Sequence, residues 1–187
     1  MKRAVSLWLV CTFFSVCFFL PAQATTQPSG TAATTASATQ APAPRAWKRY
    51  RYEADGFSTE FPAEPKSTPN DDKSGTRYFT SIENDNIAYF AEVAQLPADL
   101  DKSPQSIFED YAKGSAGATK SEIKSQKPIA FHGNPGSEFL LENDTMVLRF
   151  RLILVGKKLY QLLVVATKEL APGAEADRFL DAFQLIQ

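Results

Sequence analysis

The sequence predicts an α+β domain in which an antiparallel β-sheet of about six to seven strands is flanked by two main α-helices. Three observations carry that expectation. Short runs in which every second residue is apolar recur in both halves of the chain. Two stretches, one opened by Ser103-Pro104 and one running from Ala174 to Phe183, space their apolar residues at helical intervals instead. The order, strands first, then a helix, a run of strands and a closing helix, is that of an antiparallel sheet with helices packed on it.

The chain opens on Met1-Lys2-Arg3, an apolar run from Ala4 to Leu20 and the small-residue end Pro21-Ala22-Gln23-Ala24. These are the parts of a secretory signal peptide, residues 1–24, with cleavage expected after Ala24 and an exported product, periplasmic or secreted. The apolar run, about 17 residues, stands at the lower edge of bilayer-spanning length, so membrane contact is expected only if the segment is kept as an anchor. Both cysteines, Cys11 and Cys17, lie inside it, which leaves no thiol nucleophile, disulfide or thiolate metal site in the remainder. Its only charges are Lys2 and Arg3, so the remainder carries 18 basic and 21 acidic side chains, a net of −3. That balance excludes a generic affinity for nucleic acid. Residues 25–46, rich in Thr, Ala, Ser and Pro and lacking any large apolar side chain, read as a disordered tether.

Residues 47–187 read as a single domain of ordinary size. Tyr50 and Tyr52 alternate with Arg49 and Arg51, and Phe57, Thr59 and Phe61 alternate with Ser58 and Glu60 before Pro62: two short half-buried strands. The same alternation accounts for the mixture of basic and aromatic residues from Arg45 to Tyr52. Pro65 to Gly75, which includes Asn70-Asp71-Asp72, reads as a loop. Thr76 to Ile82 and Ile87 to Ala94 flank Glu83-Asn84-Asp85-Asn86 and read as a hairpin. The first helix takes Ser103 as N-cap, gathers Ile107, Phe108, Tyr111 and Ala112 on one face, and can end on Gly114. Strands come next at Ser121 to Phe131, Ser137 to Glu142, Met146 to Val155 and Leu159 to Thr167. The closing helix places Ala176, Phe179, Leu180 and Phe183 on one side.

Turn lengths propose a register for the last three strands. A turn at Asn143-Asp144 puts Leu141 opposite Met146 and Glu138 opposite Arg149; one at Gly156-Lys157 puts Ile153 opposite Tyr160, Arg151 opposite Leu162 and Arg149 opposite Val164. One face, with Phe139, Leu141, Met146, Leu148, Phe150, Leu152, Leu154, Leu159, Leu163 and Val165, is then core. The other mixes Leu140, Val147, Ile153, Val155, Leu162 and Val164 with Glu138, Glu142, Arg149, Arg151 and Tyr160. On this mixed face Glu138, Arg149, Arg151 and Tyr160 are the candidate ligand-binding residues, a patch able to meet a carboxylate or phosphate. The competing reading is a cross-strand ion pair plus a snorkelling arginine.

Catalysis has little support. His132, the one histidine, sits in the turn-rich stretch Phe131-His-Gly-Asn-Pro-Gly136, and no nucleophile elbow, phosphate loop or zinc-protease motif occurs. The Asx-rich stretches lack the spacing of a dedicated calcium loop, so no metal and no cofactor are expected. Asn143-Asp144-Thr145 matches the N-glycosylation triplet. The expected function is a non-catalytic binding or accessory domain whose partner is an unknown protein, peptide or small anionic ligand; the alternatives are a periplasmic hydrolase built on His132 or a carboxylate pair, and a small-anion binder using the Glu138/Arg149/Arg151 face.

Phe57-Ser-Thr-Glu-Phe-Pro62, the Ser103-Pro104 helix, Leu159-Tyr-Gln-Leu162 and Arg178-Phe-Leu-Asp-Ala-Phe183 together resemble exported domains of the PsbP-like class, which includes the photosynthetic PsbP proteins and the bacterial envelope protein DcrB. The resemblance covers nearly all of residues 47–187 and rests on element order and hydrophobic pattern. It implies an antiparallel sheet flanked by helices and a role in binding or assembly, and it transfers no functional residue.

Overall fold

A computed structural model describes residues 46–68, 76–82, 86–170 and 173–186. The signal segment, nearly all of the tether and the Asn70-Asp71-Asp72 stretch lie outside the described residues. Among the described residues, ten strands form two antiparallel sheets, accompanied by two α-helices. The strands are β1 (Lys48–Tyr52), β2 (Phe57–Phe61), β3 (Lys66–Thr68), β4 (Arg77–Ile82), β5 (Ile87–Gln95), β6 (Glu122–Phe131), β7 (Asn134–Glu142), β8 (Met146–Val155), β9 (Lys158–Thr167) and β10 (Gln184–Leu185). The helices are α1 (Pro104–Thr119) and α2 (Ala174–Asp181). The larger sheet has seven strands in the order β3-β4-β5-β9-β8-β7-β6, and β1-β2-β10 make a separate small sheet.

Local chemistry explains most element ends. The Ser103 hydroxyl accepts from Ser106 N at 3.2 Å and Pro104 opens α1, satisfying one free donor of the first turn. The helix does not stop at Gly114. It continues to Thr119 and ends on Lys120, which adopts the left-handed conformation, φ 52°, while Ser121 N donates to Ala116 O. The β6–β7 turn is only His132-Gly133, both at positive φ, so Asn134, Pro135 and Gly136 belong to β7 instead of the connecting loop that their turn-forming residue types suggest. Lys66–Thr68, within the stretch expected to be a loop, pairs with β4 as a short edge strand.

The β8–β9 register is the expected one, with Ile153 opposite Tyr160, Arg151 opposite Leu162 and Arg149 opposite Val164. The β7–β8 register is shifted by two residues: Leu141 faces Leu148, and Glu138 faces Arg151 instead of Arg149. Asn143 causes the shift. Its Oδ1 accepts from Thr145 N at 3.0 Å and Met146 N at 2.8 Å, and Asn143 N donates to Met146 O, so the turn residues are Asp144-Thr145. A slip of two preserves the facing of every side chain, so the division into a core face and a mixed face holds although the partner of Glu138 differs.

Both faces of the large sheet are covered. On the expected core face, α1 lays Ile107, Phe108 and Ala112 against Phe139, Leu141, Leu148, Phe150 and Leu152. The mixed face carries the second core: Tyr89, Ile153, Tyr160, Leu162 and Val164 meet Phe57 and Phe61 of the small sheet and Ala176, Phe179, Leu180 and Phe183 of the closing segment. Aromatic contacts dominate there, among them Phe57 with Phe183 at 5.7 Å and Phe61 with Phe179 at 5.3 Å between ring centroids. Each such fully buried ring contributes about 1.5–3 kcal/mol of transfer free energy, enough for a handful to fix the small sheet and α2 on the large one.

Candidate functional site

The small sheet and α2 cover the mixed face over β5, β9 and part of β8, leaving its β6–β7–β8 end open. The sequence-predicted site residues fall around this boundary in three separate places. Arg151 is the most engaged. Its Nε and Nη2 donate to Glu138 Oε1 at 2.8 and 2.5 Å, Nη1 donates to Leu180 O at 2.8 Å, and Nη2 also reaches Asp181 Oδ1 at 2.9 Å. With the Arg151 side chain 12 % and Glu138 19 % exposed, this is a largely desolvated cluster that ties α2 to the sheet. Arg149, two residues away, donates to Asp177 Oδ1 at 2.5 Å on a more exposed rim. Tyr160 stands apart, buried beneath the β1–β2 turn, where its hydroxyl donates to Asp55 O at 2.8 Å. Burial pushes that phenol's pKa up. Both arginines thus spend their charge on carboxylates of the closing helix or of β7.

Beyond α2 the open end forms a shallow groove of about 420 Å³. Leu140 and Val147 are its apolar floor, and Ser125 and Lys127 of the edge strand β6, Glu138 and Glu142 of β7 and Arg149 of β8 are among the residues around it. Registers explain the grouping: Ser125 lies opposite Leu140 and Lys127 opposite Glu138, so all project on the mixed face. Among the described residues, the Lys127 ammonium and the Glu142 carboxylate make no direct ion pair, and Glu142 acts on the nearby Lys124 ammonium only through space. Sequence alternation alone could not place Lys127, because β6 carries a register shift between Ile123 and Ser125 that reverses the facing of the rest of the strand.

A second polar cluster lies on the opposite face, under α1. Glu92 of β5 is buried and accepts from the Tyr111 hydroxyl of α1 at 2.8 Å; the same hydroxyl contacts Gln161 Oε1 of β9. Burial pushes the Glu92 carboxyl up to about 7, and the Tyr111 bond offsets part of that rise. The helical spacing places Tyr111 on the packed face, but nothing in the local pattern marks Glu92 as its partner.

His132 sits exposed in the β6–β7 turn with its ring against Phe131 at 4.6 Å between centroids. No cluster of three or more groups able to hold a metal occurs among the described residues. The glycosylation triplet is structurally committed: Asn143 Nδ2, the atom a glycan would occupy, donates to Thr119 O at 2.9 Å at the end of α1. At the start of the domain, Arg178 stacks over Trp47 at 5.0 Å and joins Arg49 on Glu60, while Tyr50 and Tyr52 turn inward. No helix among the described residues is long and apolar enough to cross a membrane.

No family model and no curated protein matches the sequence. Among solved structures, the fold is similar to that of cyanobacterial PsbP from Synechocystis sp. PCC 6803, with a TM-score of 0.59 at 11 % identity over 80 % of this chain and 98 % of that one. A protein of unknown function and putative regulator from Pseudomonas aeruginosa also aligns, at a TM-score of 0.40 and 15 % identity, over 70 % of this chain and 90 % of that one. The chain therefore has a PsbP-like fold.

Proposed function

We propose that this chain is an exported, non-catalytic accessory domain that engages a partner through the open end of its mixed face. The observation that carries the reading is the groove over Leu140 and Val147, where Lys127 and Glu142 hold opposite charges that make no direct ion pair among the described residues. Charges that make no internal bond are available to a partner without breaking anything in the fold. The PsbP-like fold supports an accessory role, and the exposed turn position of His132 supports binding over hydrolysis. The amino-terminal sequence supports export.

An anion recognised by Arg149 and Arg151 has to compete with Asp177, which accepts from Nη1 of Arg149, and with Glu138 and Asp181, which accept from Arg151. Of the candidate residues, Glu138 and Arg149 therefore serve as groove lining, with contact centred on Lys127 and Glu142. Site-specific photocrosslinking in the native host tests this. Ser125→p-benzoylphenylalanine is expected to give a discrete adduct that Lys127→Glu diminishes, while the same probe at Lys113, on the exposed side of α1, gives none. Adducts of equal yield at both positions, or at neither, would refute the assignment. Recovery of Thr25 as the mature amino terminus checks export; recovery of Met1 or Lys2 contradicts cleavage.

A further inference from the structure

The spacing of charges along the groove specifies the chemistry of the ligand that fits it. Lys127 lies directly across from Glu138, and Glu142 is four residues further along the same strand. At a rise of about 3.3 Å per residue the two unpaired charges stand about 13 Å apart along the strand direction. Between them Leu140 faces the groove, and Val147 lies across from Glu142. An extended peptide has the same rise and the same two-residue alternation as the strand beneath it, so its residues i, i+2 and i+4 project on one side over that same length.

We propose that the groove takes an extended peptide segment with a negative side chain at one end, a positive one four residues away and an apolar one midway, set respectively against Lys127, Glu142 and the Leu140/Val147 floor. This rests on the reading of the groove as the contact surface. The chemistry favours such a segment over the other candidates. A phosphate or polyanion meets Glu138 and Glu142 as well as Lys127, and the net charge of −3 left after removal of residues 1–24 opposes it. A wholly apolar ligand leaves both rim charges desolvated and unpaired. Addition of the segment to the free edge of β6 is opposed by the register shift at Ile123/Ser125, by Lys124 and Lys127, and by Pro128, which offers no N–H. The segment therefore lies over the face of β6–β7–β8 and leaves the edge hydrogen-bonding groups to solvent.

The test is a titration of the ¹⁵N-labelled protein with the blocked pentapeptide Asp-Ser-Leu-Ser-Lys, whose charged and apolar residues share one side in an extended chain. Two rim charges and one small apolar contact set an affinity on the order of 1 mM, within reach of chemical-shift mapping. Shifts are expected at the amides of Lys127, Leu140, Glu142 and Val147, and the same-sign peptides Asp-Ser-Leu-Ser-Asp and Lys-Ser-Leu-Ser-Lys are expected to bind more weakly. Lys127→Glu should weaken the mixed-charge peptide about fivefold or more, and Lys127→Glu combined with Glu142→Lys should restore it, because the peptide can then bind in the reverse direction. Both substitutions lie on the groove rim and break no direct ion pair in the described structure, but Lys127→Glu faces Glu138 and Glu142→Lys approaches Lys124, so the amide spectrum of each variant is first checked for the native fold. Equal binding of the same-sign peptides, failure of the double variant to recover, or shifts outside the groove would overturn the proposal. Crosslinking at Ser125 without any peptide response would overturn the ligand class alone; silence in both experiments would overturn the contact surface as well.

Discussion

Glu92 gives the domain a stability that falls as pH rises. Its carboxyl is buried between β5 and α1, accepts from the Tyr111 hydroxyl, and has a folded-state pKa of about 7 against an ordinary value of 4.5. A group whose folded pKa is raised favours the folded state while protonated. That contribution is full below about pH 4.5, declines as pH climbs toward 7 and is exhausted above it. A shift of about 2.5 units at about 1.4 kcal/mol each corresponds to about 3 kcal/mol between the two limits. Glu92→Gln keeps the shape and an acceptor for Tyr111 but cannot ionise. It should match the wild type in urea unfolding near pH 4.5 and exceed it by about 3 kcal/mol at pH 8, equivalent to about 10 °C in Tm for a domain of this size. Because every other titrating group is common to both proteins, the difference between their profiles isolates Glu92. Parallel profiles from pH 4.5 to 8 would refute the reasoning, and a wild type more stable than the variant at pH 8 would reverse its sign.

Two further predictions separate the roles of the sheet residues. Arg151→Met should cost about 2–3 kcal/mol in denaturant unfolding, since it strands the largely buried Glu138 carboxylate and the Leu180 carbonyl, whereas Arg149→Met, whose partner Asp177 is 55 % exposed, should cost less than about 1 kcal/mol; equal losses would deny Arg151 its clamping role. Gly136→Ala places a Cβ 2.6 Å from Leu152 O and 2.9 Å from Ile129 Cγ1, so the backbone of β7 has to move and a loss of about 2 kcal/mol or more is expected, with faster amide exchange along β6; an unchanged exchange pattern would count against that close approach.

The parts of this fold that are legible in the sequence are those whose information is local. Ser103-Pro104 fixes the start of α1 through one hydroxyl and one ring, and Gly156 with Lys157 fixes the β8–β9 register through one turn. Where two local signals compete, expectation and structure part. Gly114 offers a helix stop, yet α1 runs through it because the expected packing face extends on to Ala116, which packs against the core beneath the helix. Asn143 and Asp144 are both good turn residues, and only the bonds Asn143 makes to Thr145 and Met146 decide between them. The division into two sheets is not legible at all, since alternation reports that a strand has two faces and not which neighbour it joins.

The same distinction bears on the site. Arg149 and Arg151 are conspicuous in sequence because charge is unusual in the middle of a long apolar strand, and that conspicuousness draws the candidate site toward them. Their position is explained instead by the helix that lies on top. α2 crosses the mixed face with Asp177 and Asp181 one turn apart, and each aspartate meets one arginine, so the charges on the strand and helix fix the helix's position along the sheet while Ala176, Phe179 and Leu180 supply its burial. A face seated this way needs cover only as far as α2 and the small sheet reach. The strands β7 and β6 continue past that cover, and the groove with Lys127 and Glu142 is the portion of the same polar-and-apolar pattern to which no helix is clamped. Arg149 and Arg151, conspicuous as charges on an apolar strand, bond the helix that covers them, whereas Lys127 and Glu142 lie two strands and one strand away, where charge is ordinary and so carries no signal in the sequence.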